Sequence, residues 1–154
     1  MQRLFTALLA ALSFLLLPAS AQESRATADE AVAMVQKAIK DMKANGKDAV
    51  FSEINNFSPK YKDRDLYVTI MDMNGKVLAH GANKKMQGQN LHDYKDANGK
   101  LYVQERLSVA KKSGKGWQDY IFLNPVNKEL EPKKMYFEAY EGVIVSAGVY
   151  QPKK

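Results

Sequence analysis

The chain predicts an α+β domain, with helices grouped ahead of and between antiparallel strands. Three observations carry this. Apolar residues recur at helical spacing from Ala28 to Met42. The period then changes at Leu66, and Asn74-Gly75 marks a tight hairpin. The last third reads as three strands joined by linkers too short for a parallel crossover.

The first helix has a clear start. Thr27-Ala28-Asp29-Glu30 forms a capping box, with Thr27 as N-cap and Glu30 reaching back from the third helical position. Ala28, Ala31, Val32, Val35, Ala38, Ile39 and Met42 line one face, and Asn45-Gly46 is a stop signal. A shorter second helix follows with Val50, Phe51 and Ile54 as its apolar face, closed by Pro59. Leu66 to Met73 is rich in β-formers, and Val77 to His80 is the return strand. Gly81 to Asn98 reads as a long polar loop. Leu101 to Lys112 returns to helical spacing through Leu101, Glu105, Leu107 and Val109. Strands are expected at Gly116 to Asn124, Lys133 to Glu141 and Gly142 to Tyr150. Asp72 to Lys76 and Asp96 to Lys100 look alike, but they lack the spacing and terminal Glu of a calcium loop and read as two turns.

The N-terminus reads as a secretory leader. Arg3 is followed by an almost wholly apolar run from Leu4 to Leu17, then Pro18, then Ala19-Ser20-Ala21 as a cleavage signal. The expected division is residues 1–21 as signal peptide and residues 22–154 as one domain. No later apolar run approaches the ~20 residues of a membrane helix. There are no cysteines, hence no disulfide, zinc-thiolate site or cysteine nucleophile, which is compatible with a bacterial periplasmic domain. Lysines and arginines number 23 against 17 acidic residues. The surplus is spread along the chain and reads as solvated surface. With export, this argues against a nucleic-acid partner.

The search for catalytic chemistry is negative. His80 and His92 are the only histidines, no serine sits in G-x-S-x-G, and Ser113-Gly114-Lys115-Gly116 lacks the spacing of a phosphate loop. No enzyme activity and no cofactor is expected. What remains is an aromatic and polar set on the strand half. His80 ends one strand, Trp117, Tyr120 and Phe122 lie on the next, and Lys133, Tyr136 and Tyr140 on the one after. Aromatics with a few fixed polar groups suit a small-ligand pocket.

These residues fall into six motifs in order. Leu78-Ala79-His80, Gly88-Gln89-Asn90-Leu91 and Asp96-x-Asn98-Gly99-Lys100 come first. Gly116-Trp117-x-x-Tyr120-x-Phe122-x-x-Pro125, Pro132-Lys133-x-x-Tyr136 and Gly142-Val143-Ile144-Val145 through Gly148-Val149-Tyr150 follow. Together they resemble the single Cache domain type 2 of bacterial extracytoplasmic sensors, over Ala28 to Tyr150. The resemblance implies a long N-terminal helix packed on a PAS-like, five-stranded antiparallel sheet. It implies small carboxylate ligands such as acetate, propionate, lactate or pyruvate.

By the same resemblance His80, Tyr120, Phe122, Lys133 and Tyr136 stand at ligand-binding positions. Phe122 replaces the usual Trp, and Gly81 stands where Pro often follows the histidine. On a regular strand Lys133 and Tyr136 point to opposite faces. Either Lys133 precedes the strand or a bulge re-aims one of the two. The family's sensors carry a membrane helix and an output module, whereas this chain ends at Lys154. The expectation is a periplasmic binding or sensing domain that presents its small organic acid to a membrane sensor kinase, chemoreceptor or transporter. The alternative is an interaction or structural module with a degenerate pocket.

Overall fold

The structure is a computed structural model that describes residues 25–152. The expected leader, residues 1–21, and its expected cleavage site lie outside the described residues. The first helix, α1 (Ala28–Asn45), begins at the expected capping box. Thr27 Oγ1 accepts from the Glu30 N–H at 3.3 Å, and Glu30 Oε2 accepts from the Thr27 N–H at 2.7 Å. Gly46, at a φ of +84°, ends the helix and opens α2 (Lys47–Asn55). Pro59 does not close α2. The helix ends at Asn55, and Pro59 instead opens a 3-10 turn (Pro59–Tyr61), where its missing N–H costs nothing.

Six strands follow, with α3 inserted among them. They are β1 (Lys62–Asp63), β2 (Leu66–Asp72), β3 (Val77–His80), β4 (Lys115–Leu123), β5 (Leu130–Tyr140) and β6 (Val143–Tyr150). Helix α3 (Tyr102–Ser113) precedes β4 and ends on Gly114 in the left-handed conformation. The main sheet runs β3-β2-β6-β5-β4, every neighbour antiparallel, which is the five-stranded sheet expected. The two-residue β1 adds only to the start of β2. The two look-alike turns are built alike. Asp72 Oδ1 accepts from the Asn74 and Lys76 N–H groups, and Asp96 Oδ1 from those of Asn98 and Lys100. Asp96 Oδ2 also accepts from Ile121 N–H and so ties the long loop to β4.

The central strands β2 and β6 are buried on both faces, because each face is covered. On one face Ala31, Val35, Ala38, Ile39 and Met42 of α1, with Val50 and Ile54 of α2, pack on Val68, Ile70, Val145, Ala147 and Val149. On the other, Tyr102, Val103, Leu107 and Ala110 of α3 pack on Met71, Met135, Phe137 and Ile144. Trp117 is not core. It is 37% exposed and lies against Tyr136 at a centroid distance of 5.1 Å.

Candidate functional site

The α3 face of the sheet holds an apolar layer interrupted by polar groups at one end. Strand β5 starts at Leu130, so Lys133 sits inside the strand rather than before it. Register is regular throughout: Lys133 lies opposite Tyr120, and Tyr136 opposite Trp117. No bulge separates them, so alternation holds. Lys133, Met135 and Phe137 face α3, and Tyr136 faces α1. Tyr136 packs among the residues beneath α1 and donates to Glu138 Oε1 at 2.6 Å. The structure therefore brings His80, Tyr120, Phe122 and Lys133 to one side and leaves Tyr136 on the other.

Lys133 reverses its default reading as a solvated lysine: it is 1% exposed. Its stem crosses β6 at Gly148, where an added Cβ would stand 2.8 Å from Lys133 Cε and 2.9 Å from Met135 Cα. Glycine is thus required there to let the side chain pass. Lys133 Nζ donates to Tyr67 Oη at 2.9 Å and to Tyr150 Oη at 3.1 Å. It also lies 4.0 Å and 4.4 Å from the centroids of those two rings and 5.6 Å from that of Phe122. Tyr150 gives its own proton to the Leu123 carbonyl at 2.8 Å, so Tyr67 is the donor in the 3.1 Å contact between the two phenols. Burial, with the Arg106 cation beside it, holds the Lys133 ammonium well below the ordinary lysine range. Burial pushes both phenols upward, so they stay protonated.

His80 is positioned by its neighbours on both sides. Its backbone N–H donates to Asn55 Oδ1 on α2. Its Nδ1 accepts from the N–H groups of Ala82 and Asn83, at 3.2 and 3.0 Å. An imidazole nitrogen that accepts carries no proton, so the neutral ring bears its hydrogen on Nε2. Burial, then the nearby lysine, lowers the His80 pKa to about 3. The ring lies 5.1 Å from Tyr67.

Arg106 completes the arrangement, and the helical spacing read through Glu105 and Val109 missed it. That phase was wrong: the buried stripe of α3 is Tyr102, Val103, Arg106, Leu107 and Ala110. An arginine in an i, i+3, i+4, i+7 apolar stripe is the signal that could have found it. Arg106 is 2% exposed. Its Nε donates to Gln118 Oε1 at 3.3 Å, and its buried Nη2 has no hydrogen-bond partner. The stacked pair Tyr102 and Tyr120, 4.6 Å apart, lies beside the guanidinium. Tyr67 and Tyr150 were also missed, because strands buried on both faces show no alternation to reveal which residues face a site.

A cavity of about 20 Å³ lies among Tyr67, His80, Met86, Arg106, Tyr120 and Phe122. It is the size of a water site. Tyr67, His80, Met86, Tyr102 and Phe122 also line a wider outer cleft of about 680 Å³ that opens between the long loop and the β4–β5 hairpin. The site is therefore an apolar, aromatic chamber lined by the buried Arg106 guanidinium, a histidine N–H and a phenol, while Lys133 lines neither space and lies against Tyr67 and Phe122, which do. No aspartate or glutamate among the described residues pairs with Arg106 or Lys133. Chemically it offers donors and positive charge to something small and anionic.

The chain is similar to known sensor proteins in sequence and fold. The family described as Single Cache domain 2 matches residues 16–151, and the chain belongs to it. The chemoreceptor McpP, a methyl-accepting chemotaxis protein of Pseudomonas putida, is 30% identical over 90 residues. Those residues are 57% of this chain and 16% of the receptor. A methyl-accepting chemotaxis protein structure from Vibrio parahaemolyticus superposes with a TM-score of 0.69 at 20% identity, covering 79% of this chain and 86% of that one. A Cache chemosensory domain described for its carboxylic acid recognition superposes with a TM-score of 0.68 at 23% identity, covering 80% and 92%. At these identities the two structures show a shared fold. No helix among the described residues is long and apolar enough to cross a membrane.

Proposed function

We propose that this domain binds a small monocarboxylate outside the cytoplasm and presents the liganded form to a membrane partner. One observation carries the reading: Lys133 and Arg106 are both buried on the same face of the sheet with no acidic partner. A buried cation such as Arg106 is normally paired, and a buried lysine without an acidic partner sheds its proton. An anion that enters from solution supplies what the fold omits. In the bound state Arg106 Nη2 and Lys133 Nζ hold the carboxylate, Tyr67 and the His80 Nε2–H add neutral donors, and Tyr120 and Phe122 close the apolar side. The named carboxylic acid recognition of the similar Cache chemosensory domain supports the ligand class. The leader supports cleavage after Ala21 and release of residues 22–154 as a single Cache domain, acting as a ligand-binding module rather than an enzyme.

A cavity of about 20 Å³ admits such an acid only after the side chains facing the outer cleft move, so the ligand is short. A six-atom acid has a ceiling of about 9 kcal/mol, which sets binding in the micromolar range or weaker. The test is a thermal-shift screen of acetate, propionate, lactate, pyruvate, amino acids, amines and purines, followed by titration calorimetry of the best acid. Acids are expected to raise the melting temperature by mass action. A flat response to all of them refutes the reading. It would favour an interaction module, for which Leu123, Val126 and Leu130, exposed around the β4–β5 hairpin, offer an apolar contact surface.

A further inference from the structure

Resting on the carboxylate reading above, we infer that the pocket takes up its acid together with one proton, which Lys133 receives as the anion arrives. The site then responds to the acid and to the acidity of its surroundings jointly.

The argument starts from the donors of one nitrogen. A neutral amine has two N–H groups, and an ammonium has three. Lys133 Nζ finds two acceptors, the hydroxyl oxygens of Tyr67 and Tyr150. A third N–H would find no oxygen and meet only aromatic ring faces, a weaker partner for a buried donor. Burial and Arg106 act in the same direction, against the pull of the Tyr67, Tyr150 and Phe122 ring faces on a cation. Tyr67 from β2, Tyr120 from β4 and Tyr150 from β6 stay protonated and neutral, and His80 from β3 is neutral. Tyr102 and Arg106 come from α3, and the guanidinium repels a second positive charge. Asp65, beyond the start of β2, attracts the proton more weakly and forms no ion pair with Lys133. Of the two buried bases only lysine can shed its proton.

An incoming carboxylate changes each of these conditions. It supplies the missing third acceptor and an opposite charge, and Lys133 becomes an ammonium. The buried charge stays at one positive unit. Before binding Arg106 is charged and Lys133 neutral; afterwards two cations face one anion. The ligand's own carboxyl is ionised at neutral pH, so the proton comes from solvent. Apparent affinity therefore falls about tenfold for each pH unit above the free-state pKa of Lys133.

The experiment has two arms. In the first, propionate and pyruvate are titrated calorimetrically into the mature protein at pH 8 in phosphate, HEPES and Tris. The slope of observed enthalpy against buffer ionisation enthalpy gives the protons taken up. Net proton uptake, up to one per acid, is expected, falling to near zero in Lys133→Arg, whose guanidinium keeps its charge. An acid that binds the wild type with no proton uptake overturns the inference and leaves the carboxylate reading standing. The second arm needs neither ligand nor the arginine variant: melting temperatures of wild type and Lys133→Met are compared from pH 7 to 10. A lysine neutral in the fold binds fewer protons than in the unfolded chain, so wild type must gain on the variant as pH rises toward the ordinary lysine pKa. Parallel curves mean a charged lysine and overturn the inference. Failure of every acid to bind, with that pH slope intact, refutes the carboxylate reading and the coupling with it.

Discussion

His80→Asn separates the histidine's charge from its place in the loop. In the fold His80 Nδ1 accepts two backbone N–H groups, and its pKa lies at about 3. In the unfolded chain it returns to about 6.5. Because the folded pKa is depressed, the unfolded state binds the extra proton as pH falls, and stability is lost downward through that window. At pH 7.5 the term is nearly absent. At pH 5.0 it has removed about 2 kcal/mol, since one and a half pKa units at 1.36 kcal/mol each favour the protonated unfolded chain. For a domain of this size that is a fall in melting temperature of about 6–10 °C. The Asn side-chain oxygen stands where Nδ1 stood and accepts the Ala82 and Asn83 N–H groups as in an Asx turn, but it does not titrate. The assay is urea unfolding of both proteins at pH 7.5 and 5.0, a range above most of the native carboxylate titration. The variant should lose about 2 kcal/mol less than wild type. Equal losses would show that burial does not hold His80 neutral.

Four further outcomes are expected. Lys133→Met should raise the melting temperature of the ligand-free protein at pH 7, because an apolar side chain of similar length replaces a buried base and the two phenols keep each other and Leu123 as partners; a lower melting temperature counts against this. Arg106→Met should weaken the best acid by about 10- to 150-fold, the loss of one hydrogen bond to a charged group, measured by calorimetry with circular dichroism as the check on folding. Gly148→Ala should cost about 1–3 kcal/mol in denaturant unfolding, since the added methyl meets Lys133 Cε and the backbone of β5. Val35→Asp should destabilise by several kcal/mol, a charge placed in the contact between α1 and the sheet; an unchanged melting temperature would deny that contact.

The fold was legible because its signals are local. The capping box at Thr27, the stripe of α1 and the turn at Asn74-Gly75 each specify their own structure, and short linkers give the β2–β3, β4–β5 and β5–β6 pairings, whereas the central β2–β6 pairing has no local signal. Pro59 misled because a proline marks a boundary without saying on which side. The site was legible in part. His80, Tyr120, Phe122 and Lys133 do converge, whereas Tyr136 was grouped with them by the family resemblance, and the strand alternation that its spacing from Lys133 implied turns it away. Arg106 was hidden by a helix phase read one position off. Tyr67 and Tyr150 lie on strands covered on both faces, where nearly every residue is buried and no periodicity tells one face from the other.

The groove that Gly148 leaves on β6 ties the pocket's charge to a residue that never touches the pocket. Lysine at 133 without glycine at 148 has no path to the phenols, and glycine at 148 without a long side chain at 133 leaves a channel through the middle of the sheet. The two positions are sterically coupled on neighbouring strands. A redesign toward neutral or cationic ligands has to change them together, pairing a shorter residue at 133 with a methyl-bearing one at 148. A single substitution at 148 would register as a folding defect and conceal its effect on what the chamber selects.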